Sequence, residues 1–117
     1  MKLLYKIIQK YYIYKMEFLK PQTDIITIYS KSGCSNCEKV KMLLDDENMD
    51  YTVINCDDYL LHNKSEFLQF IQKIANQECK MFPMVFYGRT FIGGFKELVT
   101  YMDVQAAFNK ISNSDDF

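Results

Sequence analysis

Ile25-Ile26-Thr27-Ile28-Tyr29-Ser30-Lys31-Ser32-Gly33-Cys34-Ser35-Asn36-Cys37 is the stretch that decides the fold. Its first half is β-branched and aromatic, the composition of a strand buried in a parallel sheet, and it stops at Ser30-Lys31-Ser32-Gly33. From Cys34 to Asn48 the apolar residues Cys37, Val40, Leu43 and Leu44 recur every three or four positions, which predicts a helix. Tyr51 to Cys56 (YTVINC) is a second β-rich run. Two such runs separated by one helix predict a βαβ unit with parallel strands and a right-handed crossover.

Cys34 therefore falls where a strand hands over to a helix, at or beside the N-cap. Unpaired backbone N–H groups and the positive end of the helix dipole favour a thiolate there, below the free cysteine pKa of about 8.5. Lys31 adds a positive charge nearby. One helical turn separates Cys34 from Cys37, so both sulfurs face the same way and can close a short disulfide, with Cys37 the deeper of the two. The pair predicts thiol–disulfide exchange, with Cys34 attacking and Cys37 resolving. The same spacing also makes half of a zinc site. Cys56 and Cys79 form no second pair of this kind, so a zinc site would need scattered ligands and is not expected.

Downstream, Phe67, Leu68, Phe70, Ile71 and Ile74 repeat helically and predict a helix over about 65–77 with Ser65 as N-cap. Phe82–Tyr87 and Thr90–Ile92 flank Gly88-Arg89, a two-residue hairpin signal for antiparallel strands. Leu98, Met102, Val104, Ala107, Phe108 and Ile111 predict a last amphipathic helix, followed by a polar tail over 112–117. Cys56 reads as a buried core thiol, Cys79 as a structural thiol on a loop near the site, and His62 as a solvated side chain.

Upstream, residues 1–20 carry five lysines and one glutamate in a chain of net charge −1, which leaves +4 in this segment and −5 in the remainder. Leu4, Ile7, Ile8, Tyr11 and Phe18 at roughly helical spacing predict a basic amphipathic helix, ended by Pro21. The expected organisation is a helix and linker over 1–23, one domain over 24–111 and the tail. At 117 residues, 49% hydrophobic and 15% aromatic, the chain is globular in composition. Its charge gives no reason to expect nucleic acid. The lysines interrupt the N-terminal apolar run before it reaches membrane-spanning length, and no small-residue cleavage site follows. A monomer in a reducing, cytoplasmic compartment is expected, with no transmembrane segment and with the cysteines outside the pair as free thiols.

Tyr29-Ser30-Lys31-Ser32-Gly33-Cys34-Ser35-Asn36-Cys37 resembles the active-site lead-in of the glutaredoxins, the glutathione-dependent branch of the thioredoxin fold. Phe82-Pro83 resembles the family's valine-proline pair, whose proline peptide is cis, and Gly93-Gly94 its double glycine. The resemblance covers roughly residues 24–111. It implies a thioredoxin-like three-layer sandwich, a mixed four-stranded sheet flanked by helices, to which the N-terminal helix would be an addition. It implies catalytic Cys34 and Cys37, with glutathione as co-substrate and oxidised or glutathionylated proteins as partners. Carried onto this chain, Lys31 would pair with the glycyl carboxylate of glutathione. Phe82 and Pro83 would offer backbone to its cysteinyl part, and Gly94, Phe95, Lys96 and Glu97 would hold its γ-glutamyl end. Met81, Phe95 and Lys96 depart from the family's usual residues. Ser35 opens the alternative of a 2Fe-2S cluster held by Cys34 and glutathione, and the basic N-terminal helix that of a non-catalytic interaction module.

Overall fold

The computed structural model describes residues 18–114; the expectations for a helix over the first residues and for the end of the tail lie outside them. The elements in order are β1 (Ile26–Ser30), α1 (Ser35–Asp46), β2 (Tyr51–Asn55), α2 (Asp57–His62), α3 (Lys64–Ala75), β3 (Met84–Tyr87), β4 (Thr90–Gly93) and α4 (Phe95–Ser114). The sheet order is β2-β1-β3-β4. β1 runs parallel to β2, while β3 is antiparallel to both β1 and β4.

β1 reads as a continuous apolar run because it is central and covered on both faces: all five of its residues are buried. Alternation along it separates two cores. Ile26 and Ile28 join Val40, Leu44, Val85 and Leu98 beneath α1 and α4. Tyr29, on the opposite face, joins Ile54, Cys56, Phe67, Ile71, Met84 and Phe86 beneath α3. This is the three-layer α/β sandwich with a mixed four-stranded sheet. Phe67, fully buried, is the aromatic hub of the second core, with Phe18, Tyr29, Tyr59, Phe70 and Phe82 around it at 5.2–6.4 Å between ring centroids.

Several local features differ from expectation. Asp57 and Asp58 open α2, a short helix that the sequence reading did not include, and their charges complement the positive helix end. α3 begins at Lys64 with Asn63 as its cap residue, so Ser65 lies inside the first turn. Phe82 and Pro83 precede β3 and do not belong to it. On α4 the packed side chains are Phe95, Leu98, Tyr101 and Met102, all in its first two turns. Val104 and Phe108, expected in the core, are 58% and 68% exposed, and the helix continues to Ser114, into the stretch expected as a polar tail.

Candidate active site

Cys34 is the N-cap residue of α1, with extended backbone, and its Sγ accepts a hydrogen bond from the Cys37 N–H at 3.1 Å. Cys34 and Cys37 are joined as a disulfide, with Cα atoms 5.2 Å apart. Cys37 is fully buried and Cys34 partly accessible. The asymmetry follows from the helix start: position 34 lies at the mouth, and position 37 turns into the core beside Val40. The turn that delivers the chain to Cys34 passes through Gly33 at φ +71°, a left-handed conformation that glycine adopts without steric cost.

That turn is tied down from the start of α2. The Asp57 carboxylate accepts hydrogen bonds from the Ser32 N–H, at 2.9 Å, and from the Ser32 hydroxyl. These bonds, with the nearby Lys31 charge, hold the Asp57 carboxyl below its ordinary range. Asp57 is 25 residues from Ser32 in sequence, and no local pattern could have marked it as part of the site.

The Phe82–Pro83 peptide is cis, in agreement with the resemblance. Phe82, Pro83, Gly94, Phe95, Lys96 and Glu97 line one cleft of about 650 Å³. Asn36, from between the two cysteines, lines it as well, which sets the cleft against the start of α1. Cys34 and Cys37 are not among its lining residues, and neither is Lys31. The Lys31 ammonium instead lies over the Phe82 ring, 5.6 Å from its centroid, at the cleft's edge. Lys39, which sequence reasoning passed over, lines the cleft with its ammonium 5.9 Å from the Phe95 ring centroid. Gln77, Glu78 and Lys80 complete one wall, and Met81 stands 82% exposed beside Phe82.

The two glycines have unequal tasks. Gly93 sits at φ +128°, and a Cβ there would lie 2.7 Å from the Glu97 Cβ, so only glycine lets the first turn of α4 close against β4. A Cβ on Gly94 would meet only the Pro83 carbonyl oxygen, at 3.7 Å. Cys79 lines the same cleft; burial pushes its thiol pKa up, a hydrogen bond from the Met81 backbone opposes this, and the Glu97 charge adds to it. Cys56 is buried in the core, and burial pushes its thiol up to about 12.

The glutaredoxin family model matches residues 26–92, more than half of the chain. The chain belongs to the glutaredoxin family. Mitochondrial glutaredoxin-2 of Homo sapiens is 35% identical to it over 71 residues, 61% of this chain and 41% of the relative. The Bos taurus counterpart is also 35% identical over 71 residues, 43% of its own length. This glutaredoxin thus spans less than half the length of those curated relatives. Among solved structures, glutaredoxin 1 from Francisella tularensis, complexed with cacodylate, superposes with a TM-score of 0.56 at 27% identity, covering 75% of this chain and 95% of the other. A buckwheat glutaredoxin–glutathione complex superposes at 0.57 with 24% identity, covering 68% of this chain and 69% of the other, and so supports the fold. Family and fold agree with the Cys34–Cys37 pair found at the start of α1. Among the described residues no helix is long and apolar enough to cross a membrane.

Proposed function

We propose that this glutaredoxin uses glutathione to reduce protein disulfides and glutathione mixed disulfides through Cys34 and Cys37. The observation that carries the reading is the cleft in which Phe82-Pro83 faces Gly94-Phe95-Lys96-Glu97, next to the N-terminus of the helix that bears the thiols.

With the pair reduced, the Cys34 thiolate attacks the glutathione sulfur of a mixed disulfide. A Cys34–glutathione disulfide forms and the protein thiolate leaves. A second glutathione thiolate then attacks that disulfide, giving oxidised glutathione and restoring the Cys34 thiolate. On a protein disulfide, Cys34 forms the mixed disulfide with the substrate and Cys37 displaces it. This leaves the Cys34–Cys37 disulfide, and two glutathiones reduce it. The Cys37 N–H aimed at Cys34 Sγ and the α1 N-terminus stabilise the thiolate both as nucleophile and as leaving group. In this reading Lys31 takes the glycyl carboxylate, Phe82 and Pro83 the cysteinyl backbone, Gly94 and Phe95 the γ-glutamyl carboxylate with Lys96 assisting, and Glu97 the ammonium. The protein acts as a monomer in a reducing cytoplasmic compartment, where Cys56 and Cys79 persist as thiols.

For a 2Fe-2S cluster this chain offers Cys34 as an accessible thiolate. Among the described residues no three cysteine, histidine or carboxylate side chains converge, so the remaining ligands would have to come from outside the chain.

The test is turnover of a glutathionylated peptide and of a protein disulfide with glutathione, for wild type, Cys34→Ser and Cys37→Ser. Cys34→Ser is expected to lose both activities and Cys37→Ser only the second. Full activity in Cys34→Ser sinks the mechanism.

A further inference from the structure

We infer that Lys39 is a specificity-determining residue: it recognises the γ-glutamyl carboxylate of glutathione-type disulfides at the α4 end of the cleft. The inference rests on the glutathione reading above and adds a cation to the carboxylate site which that reading builds from α4 alone.

α1 buries Cys37, Val40 and Leu44, which leaves Lys39 on its exposed side. Its ammonium nevertheless crosses to the face of Phe95, the first residue of α4. A ring face attracts an ammonium through its quadrupole and fixes its position, yet supplies no net negative charge to neutralise it. Among the described residues no carboxylate pairs with Lys39, so it presents a positioned charge to the cleft at the start of α4. Its neighbours are committed elsewhere. Glu38 is paired with Lys41, and the cleft's Lys80 is paired with Glu78. The second Lys–Phe pair is Lys31 over Phe82, whose ring lines the cleft although Lys31 itself does not. A ligand with two separate carboxylates flanking a sulfur, as in glutathione, matches two cations each anchored on a phenylalanine. A ligand lacking the γ-glutamyl group would forfeit Lys39.

The experiment compares one peptide cysteine carried as its mixed disulfide with glutathione or with cysteinylglycine, which lacks the γ-glutamyl carboxylate. Selectivity is the ratio of kcat/KM for the two peptides, so any effect of Lys39 on the Cys34 thiolate cancels. Wild type is expected to prefer the glutathionylated peptide. Lys39→Met is expected to lower that selectivity about three- to five-fold, the range of a half-screened ion pair. Lys39→Arg should restore it, and high salt should erode it in wild type but not in Lys39→Met. Unchanged selectivity in Lys39→Met, against a clear wild-type preference, overturns the role of Lys39 and leaves the glutathione reading standing. A wild type that does not distinguish the two peptides overturns both.

Discussion

Replacing Gly93 by alanine is expected to damage this protein far more than replacing Gly94, although the two are neighbours of the same type. At Gly93 the backbone φ of +128° is foreign to an L side chain, a conformation costing about 1–3 kcal/mol for a non-glycine residue. The new Cβ would also stand 2.7 Å from the Glu97 Cβ and 2.8 Å from its Cγ. Ordinary carbon contacts are about 3.5–4.0 Å, so the first turn of α4 must retreat by roughly 1 Å. Strain and crowding together destabilise Gly93→Ala by about 2–4 kcal/mol, a large share of the 5–15 kcal/mol of a typical domain. Gly94→Ala has no such φ and meets only the Pro83 carbonyl oxygen at 3.7 Å, so its cost stays within about 1 kcal/mol. Urea unfolding measures both, with the slope m expected unchanged and the midpoint shifted. The retreat of α4 also moves Phe95 and Lys96 away from Pro83. Displacements of about 1 Å in a positioning element cost up to about 100-fold in rate, and kcat/KM for a glutathionylated peptide is expected to fall at least about ten-fold in Gly93→Ala. Equal unfolding midpoints for the two variants would refute the reasoning.

Three further outcomes are expected. Because hydrogen bonds from Ser32 lower the Asp57 pKa in the folded state, its contribution to stability is present above the ordinary aspartate value of about 3.9. It disappears as pH falls through the lowered folded value. The gap in thermal midpoint between wild type and Asp57→Asn should therefore close toward pH 2, and a pH-independent gap would contradict the Ser32 anchor. In the reduced protein at pH 7.5, iodoacetamide should label Cys34 first, Cys79 more slowly and Cys56 only on unfolding, since the Cys56 thiol is pushed up to about 12 by burial; peptide mapping reads the order, and early labelling of Cys56 would contradict its burial. Phe67→Ala should cost about 3–5 kcal/mol by denaturant unfolding, as is usual for a buried phenylalanine. It should also weaken binding in the cleft, because Phe67 stacks against Phe82 at 6.3 Å and 10°; a loss of stability below about 1 kcal/mol would contradict its place at the centre of the core.

Much of the site was legible because its parts are local. The strand-to-helix junction that makes Cys34 an N-cap lies within a dozen consecutive residues, and its chemistry follows from helix geometry. The hairpin at Gly88-Arg89 and the placement of Gly93-Gly94 before a helix are equally short-range. What stayed hidden was long-range or set by burial. α2 was missed because six residues are too few to show a period, and its Asp57 reaches Ser32 only through the β1–β2 pairing. Val104 and Phe108 carry the spacing of a core stripe, but a stripe is buried only where another layer lies beneath it, and the packed contacts of α4 end near Met102.

The sequence by itself determined the βαβ start, the two thiols and their unequal depth at the helix start, because strand composition, helical period and helix-end geometry act over a few residues. The tertiary structure alone decided which side chains share the cleft: Lys39 comes from α1, Phe82 and Pro83 from the loop before β3, Phe95 and Lys96 from α4. They meet because sheet order β2-β1-β3-β4 places α1 and α4 on one face, with Pro83 close to Gly94. A contact between residues some fifty positions apart is a property of that packing, and no local pattern encodes it.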